Sequence, residues 1–280
     1  MSEVYRCRLH LVKPNFRWKF RFLKAAAGAT LDVMATDLSV TVPEAIPDTP
    51  DDVGGVADAL ARASLALARR FSAGATMWCA SPKWSFHAHH VAVEFVHPVI
   101  MGKRALAAVT VPPAADLVAT LRASVVPGDI VLALADADDV RVADAMRRGP
   151  AWGVETVWIG AGAARPEPGA ADHVIWLDTD QPLDASERFV RIYHLLWELT
   201  HVCFEHPGLL KPEPECTDEV CITCSDEGRP AEVVSVDGDE AGVRTPDGRE
   251  TIDVSLIDLP APGDLVLVHA GFAIMSTAGR

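Results

Sequence analysis

The chain has 280 residues, 49% of them hydrophobic and 23% charged, with a formal net charge of −14 at pH 7. That length holds one large domain or two unequal ones of an ordinary soluble globular protein, and the negative charge disfavours nucleic acid and anionic membranes as partners. No apolar run reaches the roughly 18 residues needed to cross a bilayer, and the basic N-terminus has no apolar core followed by a small-residue cleavage site, so no signal peptide is expected.

Charge is distributed unevenly. Residues 1–33 carry seven basic side chains (Arg6, Arg8, Lys13, Arg17, Lys19, Arg21, Lys24) against Glu3 and Asp32. Phe16, Trp18, Phe20 and Phe22 alternate with Arg17, Lys19 and Arg21, and Lys13-Pro14-Asn15 interrupts the pattern upstream. A period of two around such a break predicts a β-hairpin. It would either dock an acidic partner or be an extension preceding a start at Met34. The Pro- and Asp-rich stretch 43–52 closes this N-terminal extension as a linker.

From residue 53 helix and strand patterns alternate. Helical spacing covers 56–70, 86–96, 115–124, 140–148 and 185–205; short apolar strands fall at 75–80, 106–111, 129–134, 155–159 and 173–177. Five apolar strands between helices predict an α/β domain over 53–210, a five-stranded parallel, doubly wound (flavodoxin-like) sheet covered on both faces. Ligands are then expected at the C-terminal ends of the strands. After a linker at 211–217 the pattern changes. β-type runs at 231–236, 242–245, 250–257 and 265–270 are separated by Asp237-Gly238, Pro246-Asp247-Gly248 and Pro262-Gly263. They predict a small antiparallel barrel, OB-like, over 218–280. So small a barrel has little core, which favours docking on a partner or on the larger domain.

The six cysteines (Cys7, Cys79, Cys203, Cys216, Cys221, Cys224) do not form a disulfide framework. Three of them lie within nine residues, a pattern of reduced thiols in a cytoplasmic protein. Cys216, Cys221 and Cys224 by themselves could be part of a zinc or iron–sulfur site, but no second cysteine pair follows. The stretch 261–274, Ala-Pro-Gly-Asp-Leu-Val-Leu-Val-His-Ala-Gly-Phe-Ala-Ile, together with Cys221-Ile222-Thr223-Cys224, resembles the HypC/HupF family of hydrogenase maturation chaperones. That resemblance implies an accessory chaperone in [NiFe]-hydrogenase maturation. It would carry an iron–cyanide–carbonyl unit on Cys221 and His269, with Cys224 as the reserve ligand. A HypD-type scaffold and the hydrogenase large subunit would be its partners. In that family the cysteine follows the initiator methionine and a C-terminal helix ends the chain, whereas here the cysteine is internal and the sequence stops at Arg280.

Residues 53–210 resemble SIS (sugar isomerase) domains near phosphoheptose isomerase, through His90-Val-Ala-Val-Glu94, Pro127–Ala133 and Tyr193–His201. The resemblance implies a homo-oligomer and ligand loops after strands one and three. Here those loops read Ser81, Lys83 and Ser85, then Asp136, Asp138 and Asp139. A carboxylate ~5 Å from a phosphate repels it by about 3 kcal/mol at an effective dielectric near 20, while one hydrogen bond returns about 1–3 kcal/mol. Sugar-phosphate isomerisation is therefore not expected, and the chain reads as a chaperone rather than an enzyme. The alternative is an isomerase-like enzyme with a regulatory C-terminal domain.

His87, His90 and Glu94 share one helix face, and His194, Glu198 and His201 share another. If the faces met, His90, Glu94, His194, Glu198 and His201 could ligate zinc or iron; the isomerase resemblance itself implies a zinc ligand pair at His90 and Glu94. Hydrogen-bonded His–Glu pairs at subunit contacts explain the same spacing. Trp152, Trp158, Trp176 and Trp197 are expected in the core or at a dimer interface.

Overall fold

The structure is a computed structural model that describes residues 55–113, 115–179, 182–211 and 228–276. The chain divides into two units, Met1–Asp48 and Thr49–Arg280. The expected N-terminal hairpin lies in the first, outside the described residues.

Helix α1 (Ala57–Ser72) buries Leu60, Ala63, Ser64, Leu67, Ala68 and Phe71, the stripe that a 3.6-residue period produces. It leads into β1 (Met77–Ala80), α2 (Ser85–Val96), β2 (Ala108–Thr110), α3 (Leu117–Ser124), β3 (Ile130–Leu134), α4 (Val140–Trp152), β4 (Glu155–Ala161), β5 (His173–Leu177) and α5 (Pro182–Glu205). The five strands lie in the order β2-β1-β3-β4-β5, and every adjacent pair is parallel. Pattern and class agree with the sequence. Ile130, Leu132 and Leu134 pack on the face covered by α1, α2 and α5. Val131 and Ala133 pack on the opposite face, under α3 and α4. The chain reverses direction across the sheet between β1 and β3, so the loops after these two strands flank the crevice where such folds place ligands.

The second part is a closed barrel of β6 (Arg229–Asp237), β7 (Glu240–Thr245), β8 (Gly248–Asp253), β9 (Leu265–His269) and β10 (Phe272–Ser276), in the order β10-β8-β7-β6-β9. It departs from the expected antiparallel barrel in two ways. A fifth strand, β10, follows Ala270 and Gly271, both at positive φ (49° and 86°), which makes a tight hairpin out of what reads as the end of a motif. Closure is then made by a parallel contact between Phe272 of β10 and Asp253 of β8, so the barrel is mixed.

Its core consists of small side chains, Ala231, Val233, Ala241, Val243, Ile252, Val254, Val266, Val268 and Ala273. Nine aliphatic groups of this size bury little apolar surface, and the barrel gains the rest by resting on α4. The contact is built on a charge. Along β6, Ala231 and Val233 point inward and Glu232 points outward, yet Glu232 is only 1% exposed. Its Oε1 accepts from Arg122 Nε and Nη2 (3.0 and 2.6 Å) and from Arg148 Nη1 (2.5 Å), and its Oε2 accepts from Trp152 Nε1 at 2.8 Å. Arg148 also donates to the Gly263 carbonyl at 2.6 Å. In the other direction Arg244 of β7 donates to the carbonyls of Arg122 (2.8 Å) and Val125 (2.9 Å). Gly153 ends α4 in the left-handed region at φ 70°, and a Cβ there would sit 3.1 Å from the Pro246 backbone, so the helix cap and the close approach of the barrel both require glycine. Trp152 thus belongs to an interface within the chain, between sheet domain and barrel.

Burial by itself pushes the Glu232 carboxyl up, but the hydrogen bonds from Arg122 and Trp152 and the charges of Arg122 and Arg148 outweigh it and hold the group below its usual 4.5. A carboxyl depressed in the folded state stabilises fully above its unfolded pKa and loses that contribution as pH falls through the folded value. Glu232→Ala, which strands two arginines at a buried contact, is expected to cost about 3 kcal/mol at pH 7. Urea denaturation of both proteins should also show the difference shrinking below pH 4.5.

A histidine–glutamate cluster and the barrel hairpin

Helix α2 starts directly after the β1 loop, and its position against α5 decides which of the predicted residues meet. His90 and Glu94 from α2 and His194 from α5 converge, with one ligand atom from each lying within 4.8 Å of the other two. His90 Nε2 is 3.3 Å from Glu94 Oε1 and 3.4 Å from His194 Nε2, and His194 Nε2 is 3.5 Å from the same Glu94 oxygen. On the far side of the His90 ring, the Tyr193 hydroxyl lies 2.7 Å from Nδ1. Tyr193 is completely buried, and burial together with the Glu94 charge pushes its phenol up to about 12. His87 is 1% exposed, packed against Phe86, Phe189 and Tyr193. Burial, and secondarily the neighbouring His90, lower it to about 4.

Two residues expected at the cluster are elsewhere. Glu198 lies 3.7 Å from Lys103 Nζ. His201 is buried, with Nδ1 2.9 Å from the Trp197 carbonyl and Nε2 3.1 Å from the Arg104 carbonyl, so both ring nitrogens are engaged by backbone. Helical spacing aligned His194, Glu198 and His201 correctly, but α2 runs beside only one turn of that line. Beyond it the face meets the segment after α2.

The loops of the crevice are already paired. Lys83 Nζ bonds Asp136 Oδ2 at 2.6 Å, joining the β1 loop to the β3 loop, and lies over the Trp84 ring. Ser81 Oγ donates to the Leu134 carbonyl, and the Ser85 carbonyl faces His89 Nδ1 at 2.7 Å. Asp139 is the N-cap of α4 and accepts from the backbone N–H groups of Arg141 and Val142 and from the Arg141 guanidinium; Asp138 is exposed. The picture of three carboxylates facing the crevice is therefore corrected: Asp139 turns to the helix terminus and Asp136 is neutralised by Lys83. A small surface pocket lies beside these loops, lined by Ser81, Pro82, Val111, Pro112 and Arg141 among others.

In the barrel, His269 is half-buried at the end of β9, beside the Ala270–Gly271 turn, and pairs with Phe272. Arg229, the first residue of β6, pairs with Val268. The chain therefore enters the barrel next to the strand end that carries His269. Cys216, Cys221 and Cys224 lie outside the described residues.

Sequence reasoning missed Tyr193 as a partner of His90. The available signal was a tyrosine adjacent to His194 on a helix otherwise apolar at that level. It also missed Arg122, Arg148 and Glu232, which belong to no motif in the sequence.

Residues 228–277, the barrel, match the HupF/HypC family. Solved structures similar in fold include a phosphoheptose isomerase from Francisella tularensis, at 14% identity and TM-score 0.48, covering 54% of this chain and 90% of that one. The Neisseria gonorrhoeae phosphoheptose isomerase shows 12% identity and TM-score 0.45, with coverage of 53% and 88%. The sugar isomerase domain of an RpiR transcription factor from Sphaerobacter thermophilus shows 15% identity and TM-score 0.37, with coverage of 57% and 89%. No curated protein matches the sequence significantly. The chain joins a five-stranded parallel α/β domain to a closed barrel that matches the HupF/HypC family over residues 228–277. Among the described residues no helix is long and apolar enough to cross a membrane.

His87 supplies a measurable consequence of this packing. A histidine held neutral in the fold stabilises fully above its ordinary value of 6.5 and loses that contribution as pH falls towards about 4. Urea midpoints recorded across that window should fall with acidity in the natural protein. They should fall less in His87→Gln, in which no group at this position takes up a proton.

Proposed function

We propose that this protein is an accessory chaperone in [NiFe]-hydrogenase maturation, carrying an iron–cyanide–carbonyl unit in the cytoplasm between a HypD-type scaffold and the hydrogenase large subunit. The observation that carries the reading is the HupF/HypC match on the barrel, whose β9–β10 hairpin presents His269. The iron unit is cargo. Cys221 holds it as a soft thiolate with His269 as the second ligand, and Cys224 is the alternative thiolate. A thiol with a pKa near 8.5 is only about 3% ionised at pH 7, so the metal itself favours the thiolate. One thiolate and one imidazole leave the unit releasable, unlike a closed four-ligand site. The test is co-expression with a HypD-type partner, reading the infrared bands of bound cyanide and carbon monoxide. Cys221→Ala and His269→Ala are each expected to lose the bands; their survival in both variants, and in Cys224→Ala, refutes the reading.

The sheet domain has its own role in this proposal. The donor set of His90, Glu94 and His194, two imidazoles and one carboxylate converging within 4.8 Å, fits a zinc-type ion with a coordination position left open. Such an ion would act as a Lewis acid towards a bound oxygen ligand. The exposed Phe86 and Val93 on α2 suit a homo-oligomer assembled around this face. The same cluster favours a second reading, an isomerase-like enzyme with a regulatory barrel. Against it, Lys83, the cation placed to meet a phosphate, is held by Asp136 across the crevice. A panel of aldose and ketose phosphates, incubated with the zinc-supplemented protein and followed by NMR, should show no interconversion. Turnover lost in Glu94→Gln would establish the enzyme instead.

A further inference from the structure

The His90 ring is held from both ends, and the two ends demand different things of its single proton. Nε2 faces the carboxylate of Glu94 at 3.3 Å and the His194 ring nitrogen at 3.4 Å. Nδ1 faces the Tyr193 hydroxyl at 2.7 Å. A carboxylate only accepts, so without a metal a neutral His90 carries its proton on Nε2 and donates it to Glu94. Nδ1 is then the acceptor, and Tyr193 donates to it. To ligate a metal through Nε2, the ring must instead carry the proton on Nδ1 and give it to a fixed acceptor. The Tyr193 oxygen is the group at that position. Its own hydrogen then needs a new direction, and His87 Nδ1 lies 3.5 Å away on the other side of the hydroxyl.

We propose that Tyr193 is the positioning residue of the His90–Glu94–His194 centre, a reversible hydrogen-bond partner that fixes the His90 ring in both states and lets its tautomer invert when a divalent metal binds. The inference rests on the reading of this cluster as a metal site. On loading, Nε2 gives its proton to solvent as the metal takes its place, and Nδ1 gains one proton from solvent that it donates to Tyr193. The ring is neutral before and after. A hydroxyl can do this because it is both donor and acceptor and rotates about one bond. A backbone carbonyl at the same place, such as those that hold His201, would lock the ring in the Nδ1–H form whether or not metal is present. Tyr193 is completely buried, so water does not substitute for it from solvent.

The test uses the full-length protein, stripped by chelation and titrated with Co(II), whose visible absorption reports binding, with Zn(II) in competition. Nitrogen-15 spectra of the histidine rings at pH 8 read the tautomers. The natural protein is expected to show His90 protonated on Nε2 when metal-free and on Nδ1 when zinc-loaded. Tyr193→Phe, which keeps the ring packing, should bind Co(II) about 10- to 100-fold more weakly and lose the single metal-free tautomer. Should that variant melt well below the natural protein, His87→Phe provides the second measurement. It keeps the Tyr193 hydroxyl, removes the acceptor behind it, and should weaken Co(II) binding by a smaller factor. Equal Co(II) affinity in Tyr193→Phe, or a metal-free His90 protonated on Nδ1, overturns the role of Tyr193 while leaving the metal site standing. If the natural protein itself binds no Co(II) at millimolar concentration, the metal site falls and this role falls with it.

Discussion

One buried carboxylate holds the two folds together. Glu232 projects from the outer face of β6 and is covered by α3 and α4, where two guanidinium groups and an indole N–H satisfy it. A buried charge is costly when alone and stable when every lone pair is met, so the contact tolerates little displacement. It compensates for a barrel core made almost entirely of alanine and valine. The barrel is a docked domain, with its β6–β7 side packed on α4.

The two candidate sites therefore sit on one body but are built by different means. The α2–α5 cluster depends on helix packing: His90 and Glu94 are one helical turn apart, and His194 is brought to them by the core contact of Tyr193, Phe189 and Leu196 with α2. The barrel site depends on a hairpin whose turn places His269 at a strand end. The crevice between the β1 and β3 loops, where this fold offers its usual ligand position, is spanned by the Lys83–Asp136 pair. That pair is partly exposed, with 58% and 36% of the two side chains accessible, so it contributes little to stability.

Much of this was legible in the sequence. Five apolar runs between amphipathic helices required a parallel sheet, because only burial on both faces suits strands such as Ile130–Leu134. The glycine-marked turns of the C-terminal part required short antiparallel hairpins. The pairing of His90 with Glu94 followed from helical spacing. What local patterning could not supply was the partner of each outward-facing group. Glu232 alternates with Ala231 and Val233 as a solvent-facing residue should, and nothing in the strand shows that two arginines about 110 and 84 positions away cover it.

The sequence by itself determined the class of each domain, the strand and helix order, and the chemical types available at the two sites, because these follow from periodicities of two and 3.6 and from short motifs. Tertiary structure alone decided three things. It separated His194 from Glu198 and His201, since a helix presents a long face but its neighbour α2 covers only one turn of it. It turned Asp139 from the crevice into the N-cap of α4. It also closed the barrel through a parallel β8–β10 contact, which depends on the through-space path of the whole domain. Each is a question of which surfaces meet, and that is settled by packing over distances that no local pattern spans.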